Sequence, residues 1–183
     1  MNHTPPFRAD MVGSLLRTRP LKDAREKFAK GEIMADALKA VEDKEIASLI
    51  KRQEAIGLQA VTDGEFRRSW WHYDFLWGIK GVSRVAVESG IQFAGVQTKA
   101  EAPKVTAKLG FDGHPFLDHF KFVKANTGRV AKMTIPSPSM LHYRGGRKLI
   151  DDKAYPTMEG FYADLGAAYE KCVKQFYDAG CRY

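Results

Sequence analysis

Leu58-Gln59-Ala60-Val61-Thr62-Asp63-Gly64-Glu65-Phe66-Arg67-Arg68 decides how this chain is read. Leu58 to Thr62 is a short run of strand type. It ends abruptly in a carboxylate, a glycine and a second carboxylate. Upstream, residues 36 to 56 have the period of an amphipathic helix. Ile46, Leu49, Ile50 and Gln53 fall on one side, and Glu42, Asp43, Lys44, Lys51 and Arg52 supply a wet face. Gly57 stands where a helix commonly ends in a left-handed turn. A helix, a glycine stop, a buried strand and a polar turn make up the repeating unit of parallel α/β proteins.

The same plan returns further on. Pro156 and Thr157 mark a helix start. Phe161, Leu165, Tyr169, Cys172, Val173 and Phe176 form its apolar stripe, Ala179-Gly180 end it, and Cys181-Arg182-Tyr183 open another strand. Two more strands are read at residues 8 to 13, ending in Gly13-Ser14, and at residues 129 to 135, ending in Pro136-Ser137-Pro138-Ser139. Residues 115 to 126 read as a short helix. Between residues 82 and 111 the pattern changes. Val85, Val87, Ile91, Phe93, Val105, Ala107 and Leu109 alternate with polar residues, the mark of an inserted antiparallel hairpin. The expected fold class is therefore α/β, with three parallel strands and the opening of a fourth. Parallel strands are normally covered by crossover helices, and a bare edge invites pairing. The expectation is that more chain follows residue 183, or that the exposed sheet edge is closed by self-association.

The 183 residues, 44% hydrophobic and 28% charged, suit one soluble domain with a sizeable core. No run approaches the roughly 18 to 20 apolar residues of a membrane helix, and the N-terminus has no secretory pattern. Two cysteines without CxxC spacing form no disulfide framework, so a cytoplasmic setting is expected. The net charge of +7 raises the alternative of a basic nucleic-acid module. Against it, bases and acids interleave, as in Lys22-Asp23-Ala24-Arg25-Glu26-Lys27, and the densest basic cluster, Arg144 to Lys148, is short.

Function in such folds sits at the C-terminal ends of parallel strands. Three such ends are readable: Gly13-Ser14, Asp63-Gly64-Glu65 and Thr134 to Ser139. Glu65 on a glycine turn could meet a ligand ammonium or ring N–H. Arg67 and Arg68 could pair with carboxylates, Glu65 included, and Trp70, Trp71, Tyr73 and Phe75 could wall a pocket. An ordinary turn with solvated arginines and core tryptophans fits the same residues. Asp63, Arg67, His72, Ser137, His142 and Tyr143 are candidate pocket-lining residues. His114 and His119 are wrongly spaced for one helix face, Cys172 reads as core, and Cys181 should lie in a buried strand. No metal constellation can be assembled, and no P-loop, GxGxxG or GxSxG is present.

Arg8 to Arg17 with its Gly13-Ser14-Leu15-Leu16, then Thr62 to Arg68, then Gly180-Cys181-Arg182-Tyr183, in that order, resemble the cobalamin-independent methionine synthase family. The likeness is nearest to its short, single-barrel bacterial members. It covers nearly the whole chain and the first half of the family domain. It implies the N-terminal half of a (β/α)8 TIM barrel, a single incomplete barrel domain over residues 1–183. It implies methyl transfer from methyltetrahydrofolate, or another donor, to the thiol of homocysteine held as a zinc thiolate. By the same resemblance Gly13 and Ser14 match the loop that holds the amino-acid carboxylate, and Glu65 matches a carboxylate that contacts the amino acid and the folate. Thr134 to Tyr143 match the segment flanking the pterin, with His142 or Tyr143 near an aromatic there. Met11 departs from the histidine of short members. The family's zinc ligands and the acidic residue that binds the substrate amino group all fall after the strand opening at Gly180. The 183-residue chain alone is thus expected to bind no zinc and to turn nothing over. The alternative is a non-catalytic remnant.

Overall fold

The computed structural model describes residues 5, 7–88 and 100–183. In chain order the elements are α1 (Arg19–Ala29), α2 (Ala35–Ala55), β1 (Ala60–Val61), α3 (Tyr73–Leu76), β2 (Lys80–Ala86), β3 (Glu101–Gly110), α4 (Pro115–Ala125), β4 (Val130–Ala131), α5 (Met140–Tyr143) and α6 (Met158–Asp178). The chain divides into two compact units. The first comprises residues 1–69, 116–134 and 177–183, and the second residues 70–115 and 135–176.

In the first unit β1 and β4 pair in parallel, Ala60 opposite Val130 and Val61 opposite Ala131. The pairing extends through Val130 N–H to the Gln59 carbonyl at 3.0 Å and Lys132 N–H to the Val61 carbonyl at 2.9 Å. Helices α1 and α2 pack together. Helix α1, which the sequence reading passed over, starts with Pro20 in its first turn, where proline's lost N–H costs nothing. It turns Leu21 and Ala24 inward. Helix α2 buries Ile46, Ile50 and Gln53 as its period requires. Gln53 is buried because its amide serves the end of β1. Nε2 donates to the Thr62 carbonyl at 2.8 Å, and Oε1 accepts Thr62 N–H at 3.1 Å. After α2, Gly57 takes φ +91°, and after α6, Gly180 takes φ +92°. These are the left-handed stops read from the sequence.

Three expectations for this unit are corrected. Residues 8 to 13 form no ladder. The Gly13 carbonyl accepts the Thr62 hydroxyl at 3.1 Å and the Met11 carbonyl accepts Lys132 Nζ at 2.7 Å, so side chains take bonds that a neighbouring strand would make. Cys181 to Tyr183 form no strand either, and Cys181 is only half-buried. Among the described residues one backbone bond reaches this segment, from Met133 N–H to the Tyr183 carbonyl at 3.2 Å. Glu42, read as part of the wet face, is buried.

The second unit holds the hairpin. β2 and β3 pair antiparallel from Ala86–Glu101 to Lys80–Gly110, with a register shift between Lys80 and Val82. Ile91 and Phe93 of the expected hairpin lie outside the described residues. Val105 also bridges Ile150 in parallel. Helix α6 starts with the Thr157 hydroxyl accepting Gly160 N–H at 3.3 Å. It buries Phe161, Leu165, Tyr169, Cys172 and Phe176. Val173, expected in that stripe, is exposed, and Ala168 is buried in addition. No helix among the described residues is long and apolar enough to cross a membrane.

Candidate functional site

The turn after β1 is built from its backbone outward. Thr62 Oγ1 accepts Gly64 N–H at 3.1 Å, and Asp63 Oδ1 accepts Glu65 N–H at 2.8 Å. These side-chain caps replace ladder bonds and bend the chain sharply. Gly64 has φ +65°. A Cβ there would stand 2.6 Å from Leu49 Cδ2, so glycine is required by both backbone and space. Glu65 follows at φ +59°, the one non-glycine residue with positive φ among the described residues. That conformation costs on the order of 1 kcal/mol for a residue with a Cβ and persists only when its surroundings hold it.

Two arginines from the N-terminal segment hold it. Arg17 Nη2 donates to the Glu65 carbonyl at 3.0 Å and also to the Arg68 carbonyl. Arg25 donates to the Phe66 carbonyl at 3.2 Å and to Ser69 Oγ at 2.8 Å. Leu15 N–H adds a bond to the Gly64 carbonyl at 3.0 Å.

The Glu65 carboxylate is oriented from three sides. Oε1 accepts the Thr134 hydroxyl at 3.2 Å and lies 3.5 Å from Arg68 Nη1. Gly13 closes the third side: a Cβ there would come within 3.1 Å of Glu65 Oε1 and 2.8 Å of Thr134 Oγ1. Arg68 is 2% exposed. It donates to the Thr134 carbonyl at 2.7 Å, and its guanidinium lies 4.4 Å from the centre of the Phe116 ring.

Gly13, Asp63, Glu65, Arg68 and Thr134 are thus brought together in the first unit, with Ser14 exposed beside Gly13. Arg67 is placed elsewhere. Its guanidinium donates to Glu42 at 3.0 Å and to Asp43, and stacks on Phe122 at 5.2 Å. Burial holds the Glu42 carboxyl above its ordinary value, partly offset by Arg67. Arg68 pairs with Glu65, one of the two arginines expected to do so. Thr134 is the residue for which the sequence reading had no specific role at Glu65, and its position at a strand end was the only signal.

The remaining candidates lie in the second unit. His72 precedes α3 and is 1% exposed. Its ring is 4.5 Å from Trp71 and 4.0 Å from Tyr73, centre to centre. Neither ring nitrogen has a hydrogen-bond partner among the described residues. Burial, reinforced by Arg144, lowers its pKa to about 4, so the imidazole is neutral at physiological pH. His142 packs edge-on against Phe161 and Tyr162, Tyr143 is exposed, and Ser137 shares a 2.8 Å bond with Ser139. His114 is core, bonded to the Phe75 carbonyl at 2.9 Å. The Cys172 thiol is buried and pushed up to about 12. Among the described residues no group of three His, Cys, Asp or Glu is placed to hold a metal ion.

No family model matches the chain. Individual proteins do. YxjH of Bacillus subtilis, uncharacterized, is 51% identical over 97% of this chain. A candidate vitamin-B12-independent methionine synthase of Listeria monocytogenes superposes over 100% of the chain with a TM-score of 0.83 and 44% identity. A 5-methyltetrahydropteroyltriglutamate–homocysteine methyltransferase of Candida albicans is 38% identical over 65 residues, 36% of this chain and 8% of its own length. This chain belongs to the cobalamin-independent methionine synthase family. It spans about half the length of the relatives it matches, 47% of YxjH and 52% of the Listeria protein.

Proposed function

We propose that the chain is the front half of a (β/α)8 barrel methyltransferase of the methionine synthase type. The complete enzyme would move a methyl group from methyltetrahydrofolate, or another donor, to the homocysteine thiol in the cytoplasm. The observation that carries this reading is the Glu65 carboxylate, held on a left-handed turn against Gly13 and Thr134. A residue kept in a costly conformation with its charge fixed from three sides is placed for a ligand rather than for stability. In the proposed chemistry Glu65 accepts hydrogen bonds from the substrate amino acid, and the Gly13-Ser14 backbone and hydroxyl receive its carboxylate. Arg68 and Thr134 orient Glu65 and do not touch substrate.

Zinc would activate the thiol in the complete enzyme by binding it as thiolate. The described residues do not fit a zinc site, so no step here runs through the metal. The chain alone is expected to form no methionine. The test is a chimera joining this chain to the unmatched remainder of YxjH, assayed for methionine formation from homocysteine and methyltetrahydrofolate. Activity that falls at least about a hundredfold in the Glu65→Gln chimera supports the reading. An active chimera indifferent to Glu65→Gln overturns it.

A further inference from the structure

Residues 10 to 15 lie outside every helix and ladder, yet they are pinned at three points within the first unit. At one end Lys132 Nζ donates to Asp10 Oδ2 at 2.6 Å and to the Met11 carbonyl at 2.7 Å. In the middle the Thr62 hydroxyl donates to the Gly13 carbonyl at 3.1 Å. At the other end Leu15 N–H donates to the Gly64 carbonyl at 3.0 Å. The first point is an ion pair, reinforced from the side. Asp10 Oδ2 also accepts the Tyr183 hydroxyl at 2.6 Å, and the Lys132 ammonium lies 4.6 Å from the centre of the Tyr183 ring. The Lys132 and Asp10 side chains are only 13% and 21% exposed, so water screens the pair less than it would on an open surface.

Lys132 and Thr134 lie two residues apart on one extended stretch. Val130 and Lys132 N–H groups bond the Gln59 and Val61 carbonyls, and Met133 N–H bonds the Tyr183 carbonyl. In an extended chain, residues two apart share a face. One strand end therefore carries two tethers. Thr134 holds the Glu65 carboxylate at 3.2 Å, and Lys132 holds the segment that leads into Gly13-Ser14. The path of that segment has little slack. A Cβ on Gly13 would stand 2.8 Å from Thr134 Oγ1 and 3.1 Å from Glu65 Oε1. We propose that Lys132 is a positioning residue for the amino-acid substrate: through Asp10 and Met11 it sets the path on which Gly13 and Ser14 meet the substrate carboxylate. Lys132 itself does not touch substrate. The inference rests on the reading of Gly13, Ser14 and Glu65 as the amino-acid site and adds the residue that keeps its two sides in register.

Two measurements test it. In the 183-residue chain, amide exchange at Leu15 should quicken about fivefold or more in Lys132→Met, while exchange at Val130, in the β1–β4 ladder, stays unchanged. In the chimera with the remainder of YxjH, Lys132→Met should raise the homocysteine KM about fivefold or more and change kcat less than about twofold. A lysine that served the fold alone would quicken Leu15 and Val130 together and leave KM where it is. Asp10→Ala, outside any ladder, removes the carboxylate that Lys132 holds. It should move Leu15 exchange and KM in the same direction, and it decides the matter if Lys132→Met does not fold. Unchanged exchange at Leu15, or equal quickening at Val130, overturns the proposal without any need for activity. A chimera that responds to Glu65→Gln but keeps its KM in Lys132→Met overturns this proposal alone, whereas one indifferent to Glu65→Gln overturns the reading beneath it.

Discussion

The turn from Asp63 to Arg68 and the stretch from Trp70 to Leu76 follow each other in sequence, and both bury ionisable side chains. In the turn each charged group has at least one partner, although Asp63 Oδ2 and Arg67 Nε have none among the described residues. Asp63 accepts Glu65 N–H, Glu65 accepts from Thr134 and Arg68, Arg68 donates to the Thr134 carbonyl, and Arg67 donates to Glu42 and Asp43. A few residues on, His72 sits equally deep with no partner at either nitrogen among the described residues. The first arrangement uses polar groups to fix a conformation the backbone would otherwise avoid. The second stores an unmet hydrogen-bonding capacity. The difference separates residues that hold a site in shape from residues that await something, and it gives opposite signs for their removal.

The largest effect is expected at Arg68. Replacing it with Met leaves the Thr134 carbonyl and the Glu65 carboxylate without their buried partner, which costs about 3 kcal/mol or more. Urea unfolding of wild type and Arg68→Met measures this. A loss under about 1 kcal/mol would mean that the turn does not depend on its ion pair. Pairing the change with Glu65→Gln should cost clearly less than the sum of the two single changes, since they share one interaction.

The next effect is a pH dependence. The His72 pKa of about 4 lies below its ordinary value of 6.5, so the unfolded chain takes up the proton first as pH falls. The stability due to neutral His72 is complete above pH 6.5 and is lost as pH falls toward 4. The loss is at most about 3 kcal/mol. His72→Phe removes the ring that titrates, so its unfolding free energy should fall less over the same window. Parallel curves for wild type and variant would place the His72 pKa near its ordinary value and erase the contrast.

Much of this was legible in the sequence, and the failures have identifiable causes. The helices α2, α4 and α6, the glycine stops of α2 and α6, and the hairpin followed from period and punctuation. Arg67 and Arg68 could not be told apart, because beyond a left-handed residue the side-chain directions obey neither helical nor strand period. Glu42 looked solvated because its partner, Arg67, comes 25 positions later. Residues 8 to 13 have strand composition, but the Gly13 and Met11 carbonyls are taken by Thr62 and Lys132. Val173 obeys the apolar period of α6 and still faces out, since its neighbour Cys172 occupies the inward position. The unpartnered state of His72 has no sequence signature, because it depends on what fails to approach.

At neutral pH, His72→Phe should stabilise the chain by about 1 kcal/mol, since an aromatic ring of similar shape relieves two unmet polar atoms. This is the reverse of Arg68→Met. A destabilised His72→Phe would mean that the imidazole has a partner after all.

The smallest expected effect belongs to Ser14. Its side chain is exposed and makes no hydrogen bond to a described residue. Ser14→Ala should therefore change the unfolding free energy by less than about 0.5 kcal/mol. In the chimera with the remainder of YxjH it should raise the homocysteine KM several-fold, because it removes a hydroxyl offered to the substrate carboxylate. Glu65 cannot be tested so cleanly, since it serves the turn and the proposed substrate together. Ser14 separates the two roles: unchanged stability with raised KM marks a substrate contact, whereas unchanged stability with unchanged KM would leave Gly13 and its backbone as the part of that loop that matters.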